Sequence, residues 1–249
     1  MLLFCTMKGI ILAGGTGSRL HPLTLVTNKH LLPVFNKPMV FHPLETLKKS
    51  GLTDIMIVTG GESIGDMMKL LGSGSQFGVE FTYRIQDKAG GIAHALGLCE
   101  NFVGKDSCAV ILGDNIFHEI FDLDLGNYGC KIFLKEVDVE SAKRFGIGVI
   151  SDGKIIKVVE KPKNPESNLA MTGLYVFDHE VFDVINTLKP SHRGELEITD
   201  AIDTYLKKGK LTYGMVKHGW SDAGTFHSLL RASHLIKEHE EKNSYLHTH

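Results

Sequence analysis

Along the first half of the chain, short continuously apolar runs alternate with stretches of helical periodicity. Gly9-Ile10-Ile11-Leu12-Ala13, Asp54-Ile55-Met56-Ile57-Val58, Val79-Glu80-Phe81-Thr82-Tyr83 and Cys108-Ala109-Val110-Ile111-Leu112 read as strands. Residues 38–50, 63–71 and 91–100 read as helices between them. Apolar strands separated by helices predict a parallel sheet covered on both faces. From about residue 131 the rhythm changes. Ile132-Phe133-Leu134 and residues 146–150, 154–159 and 173–177 read as strands with little helix between, and Ser151-Asp152-Gly153 as a hairpin turn. Helices return at 180–188, 195–208 and 226–241. The last has Leu229, Leu230, Ala232, Leu235 and Ile236 near one face, and the polar residues 243–249 predict a frayed end. The expected class is α/β: one domain with a mostly parallel sheet flanked by helices, and a β-rich part in its second half.

Composition narrows the partners. The chain has 249 residues, with 27 Lys and Arg against 29 Asp and Glu for a formal charge of −2. A near-neutral surface argues against nucleic acid and acidic membranes as partners. No apolar run approaches the roughly 18 residues of a membrane helix, and the opening Met1–Met7 segment is too short for a secretory leader. Cys5, Cys99, Cys108 and Cys130 form no Cys-x-x-Cys pair, which suits a reducing cytoplasm. Glycine is the excess, at 27 residues against an average share of about 7%. That points to backbone-controlled loops or to backbone closely approaching a ligand.

One such loop follows the first strand: Leu12-Ala13-Gly14-Gly15-Thr16-Gly17-Ser18-Arg19-Leu20. Three glycines let backbone N–H groups turn toward an anion, and Arg19 adds a cationic fork suited to phosphate. A tight turn with a surface arginine is the plainer alternative. The loop lacks the closing Gly or Ala of a dinucleotide fingerprint, which disfavours an NAD-dependent oxidoreductase. No Gly-Lys-Ser/Thr exists for a P-loop. Lys29 and Lys37 follow in Thr27-Asn28-Lys29-His30-Leu31-Leu32-Pro33-Val34-Phe35-Asn36-Lys37-Pro38, where they could neutralise a polyphosphate or simply be solvated. Asp114, at the carboxyl end of a parallel strand, reads equally as a ligand-site residue or a turn residue beside Asn115. Asp222 reads equally as a metal ligand or a helix N-cap. Two carboxylates with phosphate oxygens suit Mg²⁺.

Taken together, these segments resemble the sugar-1-phosphate nucleotidyltransferases. The resemblance runs from Lys8 to about Ile236 and continues through Gln86 and Gly91-Ile92-Ala93-His94-Ala95 to Leu112-Gly113-Asp114-Asn115. It goes on with Phe145-Gly146-Ile147-Gly148-Val149, Val159-Glu160-Lys161-Pro162, Thr172-Gly173-Leu174-Tyr175 and Arg193-Gly194-Glu195-Leu196-Glu197-Ile198-Thr199-Asp200, and closes at Trp220-Ser221-Asp222-Ala223-Gly224-Thr225. It implies a Rossmann-like sheet of the nucleotide-diphospho-sugar transferase type. The nucleotide-binding part would span about 7–130, a β-rich sugar-binding part about 131–229, and a C-terminal helix and tail 226–249.

The implied reaction is attack by a sugar 1-phosphate, glucose 1-phosphate by closest resemblance, on a nucleoside triphosphate, dTTP, with Mg²⁺ and release of pyrophosphate. UTP or another sugar phosphate is the alternative within the class, and a noncatalytic sugar-nucleotide sensor the alternative outside it. The resemblance assigns catalytic charge to Arg19, Lys29 and Lys161. It assigns nucleotide binding to Leu12, Gly14, Gly15, Gly17, Gln86, Gly91 and Asp114, and sugar-phosphate binding to Gly146, Glu160, Lys161 and Arg193. Metal ligation falls to Asp114 and Asp222, and the family implies a homo-oligomer. His30 and His94 each stand where the family usually has Gln. The chain stops a helix or two short of the longest members, so their regulatory nucleotide site is not expected here. His247-Thr248-His249 reads as a polar tail rather than a metal site.

Overall fold

The computed structural model describes residues 7–246, and the side chains up to residue 241. The opening run through Thr6, including Cys5, and the His247-Thr248-His249 tail lie outside the described residues. The elements, in order, are β1 (Met7–Ala13), the short pair β2 (Pro33–Val34) and β3 (Lys37–Pro38), α1 (Phe41–Lys49), β4 (Asp54–Gly60), α2 (Ile64–Leu71), β5 (Glu80–Gln86), α3 (Ile92–Gly97), α4 (Glu100–Val103), β6 (Ser107–Leu112) and β7 (Asn115–Phe117). There follow β8 (Cys130–Glu136), α5 (Val139–Ala142), β9 (Ile147–Ser151), β10 (Lys154–Val159), β11 (Leu169–Phe177), α6 (Val181–Thr187), α7 (Ile198–Lys207), β12 (Leu211–Met215), β13 (Trp220–Asp222) and α8 (Phe226–Leu246).

The main sheet has the order β10-β9-β11-β6-β1-β4-β5, with β8 on β11 and β12 on β8. Strands β5, β4, β1 and β6 run parallel, while β11 lies antiparallel to β6, β8 and β9. Strand alternation sends neighbouring residues to opposite faces. Ile10, Leu12, Met56, Val58 and Val110 pack with α3, α6 and α7 on one side. Ile11, Ala13, Ile55, Ile57, Ala109 and Ile111 pack with α1 and α2 on the other. The first chain reversal lies between β4 and β6, on either side of β1, where open sheets place their ligands.

Several sequence expectations are redrawn. The 91–100 helix is two short ones, the break falling at Leu98 and Cys99 just after Gly97, whose missing side chain weakens the end of the first helix. The 195–208 helix begins only at Ile198, because Glu195 and Gly194 are used in a loop where Ser191 N–H donates to Glu195 O at 2.8 Å and Gly194 N–H to Ser191 O at 2.8 Å. The backbone of α8 stays helical to Leu246, past the expected fraying point. Its core-facing stripe is the buried Ala232 and Ile236 with a half-buried Leu229, and Leu230 is 60% exposed. At the 151–153 hairpin, Asp152 and Gly153 both take positive φ (49° and 72°), as a two-residue turn matched to strand twist requires.

Candidate active site

Four parallel strands end along one edge, and three of them release a candidate residue there. β1 opens into the glycine loop, β5 ends on Gln86, and β6 runs through Gly113 into Asp114. Leu12 is buried in the core, and its carbonyl accepts the Gly113 N–H at 2.9 Å, so it fixes the Asp114 turn to β1. Gly17 adopts φ 66°, a region that favours glycine, and its carbonyl accepts the Thr24 hydroxyl at 2.8 Å. The loop divides two cavities. Gly14, Gly15 and Thr16 line one of about 450 Å³ with Asn28, Gly60, Gln86 and Asp87. Ser18 and Arg19 face the other, of about 590 Å³, together with Asp114, Gly146, Glu160, Lys161, Arg193 and Asp222.

Asp114 and Asp222, 108 residues apart in sequence, meet through a short two-stranded sheet. β13 pairs with β7 so that Asp222 lies opposite Asn115, and the Ala223 N–H donates to the Asp114 carbonyl at 2.8 Å. The N-cap of α8 is Thr225, whose hydroxyl accepts the Ser228 N–H at 3.2 Å, so Asp222 is not needed as a cap. Each carboxylate carries a cation: Lys29 Nζ lies 2.6 Å from Asp114, and the Arg144 guanidinium 3.1 Å from Asp222. Burial pushes the Asp114 carboxyl up, but Lys29 and His30 outweigh it and hold the group well below the usual range. Burial raises Asp222, with Arg144 only partly opposing and Asp114 adding repulsion. An exposed Arg19 reaches the same corner; a Cβ on Gly224 would stand 3.0 Å from its Nη2 and 3.5 Å from Asp114 Oδ2.

The other wall is a side-chain network. Glu160 Oε2 accepts the Thr199 hydroxyl at 2.6 Å, and its Oε1 lies 2.9 Å from Lys161 Nζ. Lys161 holds φ 41°, costly for a residue with a side chain, a kind of strain that collects at ligand sites. Arg193 grips both oxygens of the buried Glu197, at 2.8 and 2.7 Å, and Ser191 adds a hydroxyl at 2.7 Å. Gly146 has no room for a side chain. A Cβ there would press on the Met171 methyl and stand 3.3 Å from both Glu160 Oε2 and Thr199 Oγ1.

Most of the sequence candidates therefore converge on these two cavities. Leu12, Gly17, Lys29 and Gly91 are placed differently. Gly91 packs against the Leu196 backbone at φ 97°, and none of the four is among the residues that line the cavities. Arg144, Glu197 and Thr199 were not singled out from the sequence. Arg144 precedes the Phe145-Gly146 segment and Glu197 shares a run with Arg193, so their positions offered a signal that local chemistry did not. His30 is buried, with its Nδ1 2.7 Å from Asn28 Oδ1, and desolvation lowers it to about 3. Among the described residues, no group of three or more His, Cys, Asp or Glu side chains is arranged to hold a metal by itself.

This sheet, with a glycine loop and paired aspartates at its carboxyl edge, is the architecture of a nucleotidyl transferase. The chain belongs to that family, whose model matches residues 8–239. Among curated relatives it is 44% identical over 239 residues to the low-salt glycan biosynthesis nucleotidyltransferase of Haloferax volcanii, covering 93% of this chain and 66% of that one. It is 42% identical over 241 residues to the glucose-1-phosphate thymidylyltransferase of Mycolicibacterium smegmatis, covering 93% and 82%. The chain thus spans just under two thirds of the archaeal relative and over four fifths of the mycobacterial one. Among solved structures, a Bacillus anthracis protein assigned as a glucose-1-phosphate thymidylyltransferase and crystallised with sucrose superposes with TM-score 0.86 at 56% identity, over 92% of this chain and 95% of that one. A UDP-glucose pyrophosphorylase complexed with UDP-glucose gives 0.81 at 26% identity, over 93% and 98%.

Proposed function

We infer that the protein is a glucose-1-phosphate thymidylyltransferase, converting dTTP and glucose 1-phosphate to dTDP-glucose and pyrophosphate. The observation that carries this reading is the meeting of two carboxylates and Arg19 on one cleft wall with Glu160, Lys161 and Arg193 on the other. A phosphate oxygen of the sugar phosphate forms a bond to the α-phosphorus, and the bond from that phosphorus to the bridging oxygen breaks, its electron pair leaving with pyrophosphate. The nucleophile is already an anion, so the protein has to position two polyanions and neutralise charge growing on the leaving group.

In this reading the glycine loop, with Gly14, Gly15 and Gly17, receives the triphosphate. Arg19 and Lys29 oppose its negative charge. Gln86 reads the base and Gly91 holds the neighbouring backbone. Glu160 accepts from sugar hydroxyls across the bare Gly146 backbone, while Lys161 and Arg193 face the sugar phosphate. Asp114 and Asp222 fit Mg²⁺ by donor chemistry: two hard carboxylate oxygens, with phosphates and water left to complete the shell. When bound there, the ion supplies charge neutralisation at the reacting phosphates. Lys29 and Arg144 keep both carboxylates partnered without it. A cytoplasmic setting and self-association belong to the same proposal; the first rests on cysteines without a Cys-x-x-Cys pair, the second on the family resemblance.

The test is pyrophosphate release across four nucleoside triphosphates and several sugar 1-phosphates, with and without Mg²⁺. The expected result is Mg²⁺-dependent turnover of dTTP with glucose 1-phosphate. Turnover of UTP without dTTP would overturn the base assignment. Nucleotide binding with no pyrophosphate from any pair would favour a noncatalytic sensor.

A further inference from the structure

Gln86 ends β5 and lines the glycine-loop cavity, and its amide is held on its nitrogen side by a histidine while its oxygen side faces Gly14. Its Nε2 lies 3.0 Å from Nδ1 of His94 on α3. Its Oε1 stands on the opposite side, 2.7 Å from where a Cβ on Gly14 would be. The histidine itself is fixed by backbone. Its ring lies over Gly90, where a Cβ would come within 2.7 Å of Cγ and 2.8 Å of Nδ1. The Leu196 N–H donates to the Gly90 carbonyl at 2.8 Å, and the Ala93 N–H donates to the Leu196 carbonyl at 3.1 Å. Neither Gly90 nor the start of α3 can shift without breaking these bonds.

An amide presents an acceptor on one side and donors on the other. Whichever partner claims one side decides what the other side offers. In the tautomer that leaves Nδ1 bare, the ring accepts the Gln86 N–H, and Oε1, an acceptor, is left toward Gly14 and the cavity. We propose that His94 is a positioning residue for base specificity, orienting the Gln86 amide so that the site accepts pyrimidines with an N–H donor at N3 and rejects those with an acceptor there. Uracil and thymine carry that donor; cytosine carries a lone pair. With a cytosine base two acceptors face each other, and a polar group left unpaired in a partly desolvated site weakens binding by about tenfold. The proposal rests on the reading of Gln86 as the residue that meets the base. It says nothing about the 5-methyl group, so it predicts no discrimination between dTTP and UTP.

The experiment measures kcat and KM for dTTP, UTP and CTP at saturating glucose 1-phosphate in the wild type, His94→Leu, His94→Asn and Gln86→Leu. His94→Leu is expected to raise KM for dTTP and UTP together by about tenfold, with kcat changing less than about twofold. Its preference for dTTP over CTP should fall by about tenfold, while the ratio of dTTP to UTP stays put. His94→Asn, whose Oδ1 can take the place of Nδ1 as acceptor, should keep the preference. Two outcomes overturn the role of His94: His94→Leu keeping the preference while Gln86→Leu loses it, or His94→Asn losing it as completely as His94→Leu. A Gln86→Leu variant that still prefers dTTP over CTP would overturn the reading of Gln86 itself.

Discussion

In the proposed function the two walls of the cleft recognise ligand in opposite ways. The proposed nucleotide wall is mostly backbone: Gly14 and Gly15 after β1, with Gly60 and Gln86 at the ends of adjacent parallel strands. The sugar wall is mostly side chain: Glu160 held by Thr199 and Lys161, and Arg193 clasped on Glu197. A triphosphate presents repeating anionic oxygens that bare N–H groups and mobile cations can meet. A sugar presents hydroxyls whose directions differ from one epimer to the next, so its partners must be pinned in place. Pre-paired ions on the sugar wall do that pinning. Exposed pairs contribute little to stability, so the Lys161–Glu160 contact reads as positioning rather than as a support of the fold.

The largest expected effect comes where the walls meet. Asp114→Asn removes the carboxylate charge but keeps the shape, and should lower kcat by about 10²–10³-fold, the scale of losing one charge-stabilising group. Circular dichroism should show the fold retained. Glu160→Gln, on the sugar wall, should instead raise KM for glucose 1-phosphate by about tenfold and spare the nucleotide KM. Near-normal Mg²⁺-dependent turnover by Asp114→Asn would remove that residue from the shared centre and leave the two walls without a joint metal.

Acid should separate the walls by stability. His30 lies beneath the nucleotide wall, and desolvation, with Lys29 adding to it, lowers its imidazole to about 3 from 6.5. The unfolded chain therefore takes up that proton as pH falls through about 6.5, and the folded one not until about 3. Stability falls with pH across that window, by about 2 kcal/mol at pH 5 from this one group. Burial raises Glu197 on the sugar wall, but Ser191 and Arg193 outweigh it, so its carboxyl sits below 4.5. Its contribution is present above that value and is lost only as pH falls further. Urea unfolding at pH 7 and pH 5 should show a smaller acid loss in His30→Gln than in wild type. It should not vanish, because burial also lowers His118 to about 4. Equal losses would clear His30 and leave the nucleotide wall no more acid-sensitive than the rest.

The walls also differed in how far they could be read from sequence. Gly14 to Arg19 is contiguous and follows a run, Ile10 to Ala13, that could only be a buried strand, so loop and strand located each other. The same logic at the end of β6 made Asp114 a candidate, evenly matched with a turn residue until the family resemblance decided it. The partner strands β7 and β13 are three residues each, too short for periodicity to mark, and it is their pairing that carries Asp222 to Asp114. Its arrival was expected only through family resemblance. Arg144 went unmarked because its partner Asp222 is far along the chain, and Glu197 because its bond to nearby Arg193 depends on how the 191–195 loop is bound by backbone. The error at Leu230 is local: on α8 it neighbours the buried stripe, and only the packing of Val34, Met39 and Ile116 decides which leucine turns inward.

Two glycines offer the finest test of the division. Neither Gly14 nor Gly146 has a left-handed φ, so alanine meets no backbone strain at either and acts only through its methyl group. At Gly14 the methyl would crowd Gln86 Oε1, at 2.7 Å. At Gly146 it would press on Met171 and come within 3.3 Å of Glu160 and Thr199. Each insertion should displace the group it touches, at about the 1–3 kcal/mol typical of overpacking. Gly14→Ala should therefore raise the dTTP KM by about tenfold and leave glucose 1-phosphate alone, and Gly146→Ala should do the reverse. Because the substitutions are chemically identical, a crossed or shared effect cannot be blamed on the residue introduced. It would mean that the loop and the Glu160 network move as one unit, with the Arg19–Asp114–Asp222 corner coupling them instead of merely lying between them.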